Sequence, residues 1–163
     1  MRSVQGVLAA LACAASVISC GAGSAQDLTK ILAVENVGTG WFDAGIENGL
    51  NKLVPSITLT LKNISNEPVR SVQLNAIIRR AGETEEWGGA YRTVISSEGL
   101  APGASTKPIV LRSQLGYTGI ETRAQMLQNK QFVDVHVQLF AKWASAQWAK
   151  LGEWAIERQL LTQ

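Results

Sequence analysis

The side chains able to do chemistry are few, and their spacing is poor for it. His136 is the only histidine in 163 residues. In the alternating run from Phe132 to Trp143 it shares an outward face with Asp134 and Gln138, where a solvated or pairing role is expected and where no second imidazole stands by for a relay or a metal. Asp43, Glu47, Asn48 and Asn51 resemble the start of a calcium loop. The spacing fails, because the sixth position from Asp43 holds Asn48 where such a loop needs Gly, and the twelfth holds Val54 where it needs an acid. There is no Gly-x-Ser-x-Gly, no His-Glu-x-x-His and no phosphate-cradling glycine loop. No catalytic residue, metal or cofactor is therefore expected. A carboxylate pair brought together by folding is the one hydrolytic arrangement left open, since its members need not be close in sequence.

Two other residue types carry more. Cys13 and Cys20 are the only cysteines. Val7 to Ile18 is a nearly unbroken run of small and aliphatic residues behind a lone Arg2, too short to span a bilayer and in keeping with an export signal. Val17-Ile18-Ser19-Cys20 ends that run as a lipobox does, which makes Cys20 the expected site of lipidation and the mature N-terminus. Gly21 follows in place of Asp, so in a Gram-negative host the expected address is the outer membrane. Gly23-Ser24-Ala25 offers a competing small-x-small cut that would release a soluble periplasmic or secreted chain from Gln26. Cys13 is lost in either case, and the folded part has no thiol for a disulfide or a metal.

Five tryptophans are the other unusual feature. Trp143 and Trp154 fall at inward positions of strands. Trp41, Trp87 and Trp148 lie beside expected turns, where an exposed indole can anchor a protein interface or stack on a sugar, and where it can equally pack over an open end of the fold.

The elements that must position these residues are read from period and punctuation. Ile57, Leu59 and Leu61 alternate with Thr58, Thr60 and Lys62, and Val72, Leu74, Ala76 and Ile78 repeat that parity after the turn-rich corner Asn63, Ser65, Asn66 and Pro68. An earlier strand is expected over Lys30–Val37, ending at Gly38 and Gly40, and Asn48-Gly49 is a hairpin signal. Later strands are expected over Tyr91–Ser96, Lys107–Arg112, Phe132–Trp143 and Trp148–Gln159, the last with an irregularity at Gly152. Leu100 to Ala104 is a Pro-Gly turn. Gly116–Gln131 reads as a helix, with Thr118 and Glu121 spaced as a capping box and Ile120, Ala124 and Leu127 on one face. In Phe132–Trp143 the odd positions from Val133 to Trp143 are the inward set.

About seven short strands and one short helix predict an all-β, antiparallel, immunoglobulin-like β-sandwich, in one domain over residues 27–163 after a signal peptide (1–19) and a lipidated tether (20–26). Without Arg2 the mature chain carries 14 Lys and Arg against 13 Asp and Glu, which gives no reason to expect nucleic-acid binding. The run Ile57 to Leu74 (I-T-L-T-L-K-N-I-S-N-E-P-V-R-S-V-Q-L), the later L-A-P-G-A-S and the closing strand pair resemble bacterial FxLYD-type domains over roughly residues 54–158. Where that family has Phe-x-Leu-Tyr-Asp, this chain has Ile77-Ile78-Arg79-Arg80. The resemblance implies an immunoglobulin-like sandwich in an exported protein or lipoprotein, with no catalytic residues. The expected role is a non-catalytic interaction or assembly module held to the membrane by its N-terminal lipid, with an envelope protein or a glycan as partner.

Overall fold

The computed structural model describes residues 25–161; the expected signal peptide and Cys20 lie outside them. The element order is α1 (Ala25–Ile31), β1 (Leu32–Glu47), β2 (Leu50–Asn63), β3 (Val72–Arg80), β4 (Gly88–Ile95), β5 (Ile109–Arg112), β6 (Tyr117–Gly119), α2 (Arg123–Gln128), β7 (Val135–Trp143) and β8 (Ala149–Ala155). The strands form two antiparallel sheets packed face to face. The first runs β1-β2-β5, with β6 also on β2, and the second runs β4-β3-β7-β8. This is an immunoglobulin-like sandwich, as the alternation predicts.

The two central strands supply the core. Ile57, Leu59 and Leu61 of β2 face Val72, Leu74, Ala76 and Ile78 of β3, joined by Val135, Val137, Leu139 and Ala141 of β7, all buried. Each large side chain so removed from water contributes about 1.5–3 kcal/mol before entropy is counted. The corner between β2 and β3 is a crossover between sheets, built on the buried Asn63. Its Nδ2 donates to the carbonyls of Glu67 (2.8 Å) and Leu100 (2.9 Å), and its Oδ1 accepts from Ser65 N (3.0 Å) and Ser65 Oγ (2.7 Å). The Pro102-Gly103 turn is tied to the same corner through Gly103 N to the Asn63 carbonyl, 2.8 Å.

Several local expectations are corrected. β1 does not end at Gly38 and Gly40 but continues to Glu47, with register shifts between Glu35 and Gly38 and between Asp43 and Ile46. Gly40 is a point of close approach: a Cβ there would stand 2.7 Å from Leu161. The segment before it is helical from Ala25 to Ile31. The expected Gly116–Gln131 helix is divided into β6, which pairs with β2, and α2, whose capping box is Thr122 with Gln125 instead of Thr118 with Glu121. Met126 and Leu127 form its buried face, while Ile120 is exposed. Val133 lies ahead of β7 and is exposed; Phe132 takes the inward place. The Asn48-Gly49 hairpin is as expected, with φ of 51° and 81° joining Glu47 to its partner Leu50, the positive pair that suits strand twist. The irregularity expected at Gly152 is a register shift where Leu139 pairs Gly152 and Phe140 pairs Lys150.

The two lateral sides of the sandwich differ. On the β1/β8 side, α1 packs against β8, β1 and β7 with Leu28 and Leu32 buried. The C-terminal tail also bonds along β1 there, from Trp41 N to the Gln159 carbonyl (2.8 Å) and Leu161 N to the Trp41 carbonyl (2.9 Å). On the β4/β5 side nothing among the described residues covers the edges. They touch at Gly88, where a Cβ would stand 2.5 Å from Ser113 Oγ, and diverge beyond it.

Candidate functional site

The three turn-side tryptophans do not share a surface. Trp41 is 0 % exposed, so its expected place on an interaction surface is corrected: β1 carries on through it, and its pairing with Pro55 sets it on the core face of the sheet. Its indole packs against Phe132 (centroids 4.6 Å apart, 69° between planes) and Tyr117 (5.6 Å). Trp87 is half-buried at the outer end of the same aromatic pile, 4.9 Å from Tyr117, with the Arg80 guanidinium 4.8 Å above its ring. Burial pushes the Tyr117 phenol up from its usual pKa, and the nearby Arg80 charge holds part of that rise back. These residues close one end of the sandwich, the packing role that competes with binding for any single tryptophan.

Trp148 alone is exposed, at 37 %. It leaves the turn between β7 and β8 and leans over the outer face of the second sheet, its ring 6.1 Å from that of Tyr91 at 74°. Tyr91 is 59 % exposed on β4. Register places both over a row of outward side chains. Asn75 lies between Tyr91 and Phe140, and Gln73 lies between Thr93 and Lys142. Lys142 Nζ stands 5.9 Å from the Trp148 ring centroid. The side chains of Gln73, Asn75, Tyr91 and Trp148 make no hydrogen bond within the protein among the described residues.

The other half of the same face is self-satisfied. Gln138 accepts from Arg79 Nη1 and donates to Glu153 (3.0 Å), and Lys150 pairs with Glu153 at 2.6 Å. The Lys150 ammonium, then the Gln138 amide, hold the Glu153 carboxyl below the usual carboxylate range. His136 belongs to this ionic half, its Nε2 3.6 Å from Glu153, while Asp134 is turned away to Arg158 at 2.6 Å. No three His, Cys, Asp or Glu side chains among the described residues are placed to hold a metal ion. The face is thus divided into an ionic network that satisfies itself and an aromatic patch whose amides, phenol and indole N–H remain available. Tyr91 escaped the sequence reading because a tyrosine opening a strand is unremarkable by itself. Its signal was the outward parity of Gln73 and Asn75 on the strand it pairs with.

No family model matches the chain, and no curated protein does. Among solved structures it is similar to the Northeast Structural Genomics Consortium target SoR45 by X-ray, with 16% identity and a TM-score of 0.45 over 79% of this chain and 88% of that one. It is also similar to the ligand binding region of Serine-glutamate repeat protein A (SgrA) of Enterococcus faecium, with 14% identity and a TM-score of 0.29 over 71% of this chain and 88% of that one. At these identities nothing about ligands or partners passes to this chain.

Proposed function

We propose that the chain is an exported, non-catalytic interaction module, lipid-anchored to the cell envelope through Cys20, whose Tyr91–Trp148 face receives a protein partner. The observation that carries this reading is the exposed aromatic pair set over free amides, beside a network that has satisfied its own polar groups. Aromatic anchors ringed by hydrogen-bonding groups are what concentrate binding energy at interfaces. The export signal ending at Cys20 and the resemblance to FxLYD-type domains point the same way. Geometry favours protein over glycan, since rings at 74° form a corner in place of a flat platform and Lys142 stands over the indole. A side chain fits such a corner better than a sugar ring does.

The test combines site and anchor. A photoreactive phenylalanine analogue at Tyr91 should crosslink to an envelope protein in cells, the adduct should disappear with Trp148→Ala, and the same analogue at exposed Ile120 should give none. Intact mass of the membrane fraction should show a chain beginning at an acylated Cys20. A soluble chain beginning at Gln26 would remove the anchor. Retardation in gels containing a neutral polysaccharide, abolished by Tyr91→Ala, would replace the protein partner with the runner-up, a soluble glycan-binding domain.

A further inference from the structure

A second surface stands apart from the aromatic face, on the open β4/β5 side. From their contact at Gly88 and Ser113 the two edges diverge into a groove of about 410 Å³, walled by Arg92 to Ser96 on one side and Ser105 to Ile109 on the other. Among the described residues β4 pairs only with β3 and β5 only with β2, and no backbone hydrogen bond joins β4 to β5. One flank of each edge is therefore free to pair.

The side chains here are the devices that keep an open edge from pairing with a copy of itself. Arg92 lies opposite Leu74, so its parity is that of the core, yet it is exposed in the open groove, and an arginine at such an edge position repels an apolar strand. The register shift between Val72 and Gln73 makes Val94 an extra residue on β4, and Pro108 removes an N–H just before β5. Charge then sets which strand is admitted. Arg92, Lys107 and the adjoining Arg70 form no ion pair among the described residues, and none of the groove's walls carries an acid. Elsewhere Lys52, Lys62, Arg80, Arg123, Lys150 and Arg158 are all paired. Arg79, Arg112, Lys130 and Lys142 also form no ion pair among the described residues, so what marks the groove is three such cations around one open edge with no acid in its walls.

We infer that the β4/β5 groove binds an extended acidic peptide segment, which adds to the β4 edge and places its carboxylates against Arg92 and Lys107. Backbone pairing supplies affinity in such strand addition and alternate side chains supply selectivity, so the arginine that excludes an apolar strand recognises an acidic one.

The experiment is fluorescence anisotropy with the full-length protein and a labelled peptide of alternating Glu and Val. Binding should weaken at least about ten-fold when Gln replaces every Glu in the peptide, and by a similar factor in Arg92→Glu. Lys107→Glu, on the opposite wall, gives the same readout should Arg92→Glu fail to fold. Amide exchange over Thr93–Ile95 should slow in the complex. The inference is overturned by no binding at about 1 mM peptide, by equal binding of the Gln peptide, or by displacement with dextran sulfate without amide protection, which would make the groove a plain anion patch.

Discussion

Trp41 separates a packing role from a binding role most sharply. Its indole is fully enclosed between Phe132 and Tyr117, so truncation to Ala removes a large apolar body and two ring contacts from a core that can only partly collapse. Such changes cost about 3–5 kcal/mol. One term opposes the loss: Trp41 Nε1 is buried with no acceptor, and removing a donor in that state relieves roughly 1–3 kcal/mol. The net expectation for Trp41→Ala is about 2 kcal/mol, or a fall in melting temperature of roughly 6–10 °C for a domain of this size. Trp41→Phe keeps a ring and drops the orphan donor, and should stay within about 1 kcal/mol of the parent. Trp148→Ala, from a partly exposed turn, should move stability by less than about 1 kcal/mol. Calorimetry on the three variants is the assay. The reasoning is refuted if Trp41→Ala melts within about 3 °C of the parent, or if Trp41→Phe is as damaged as the alanine, which would mean that Nε1 holds a partner the geometry does not show.

Asn63→Ala should cost about 2–4 kcal/mol, because it removes four hydrogen bonds at a buried side chain, two donated to the carbonyls of Glu67 and Leu100 and two accepted from Ser65, while the backbone bond to Gly103 stays; a loss below about 1 kcal/mol in urea unfolding would show the corner held by its backbone alone. Tyr117 is raised by burial first, with Arg80 opposing. A phenol whose folded pKa exceeds its unfolded value lends stability that is fully present below the unfolded pKa, about 10, and is lost as pH rises through the folded one. Arg80→Met should therefore push the tyrosinate absorbance titration of Tyr117 still higher, and a downward shift would contradict the assigned cause.

How much of this was legible depends on whether a signal was local. The β2 and β3 alternation and the Asn48-Gly49 turn were readable because period and positive φ are properties of a few adjacent residues. Gly40 misled for the opposite reason. It reads as the end of a strand, yet its missing Cβ makes room for Leu161, a contact between residues far apart in the chain. With β1 cut short, Trp41 was placed beside a turn instead of inside the core. Thr118 and Glu121 mimic a capping box, but Tyr117 to Gly119 pair with β2, and tertiary strand pairing overrode the local helix signal until Thr122. The Tyr91–Trp148 contact needed both the register of the second sheet and the turn that brings Trp148 back over it.

The position of β4 ties the two surfaces together. It is the edge of its sheet farthest from β8, and α1 packs on the β8 side. A chain tethered at Cys20 enters the domain at α1 through a few residues, which span at most about 18 Å when extended. In the proposed lipid-anchored form the lipid would therefore sit nearer the closed side, with β4 across the sandwich from it. Tyr91 and Arg92 are adjacent on that strand, so their side chains fall on opposite faces: Tyr91, opposite Asn75, joins the aromatic patch, and Arg92, opposite Leu74, joins the groove. One partner able to wrap the β4 edge would engage both, and a one-residue slip of β4 would exchange them and disable both at once. Register is therefore the property on which both proposed surfaces depend, and Ala76 opposite Ala90 and Ile78 opposite Gly88, set toward the core, are what hold it.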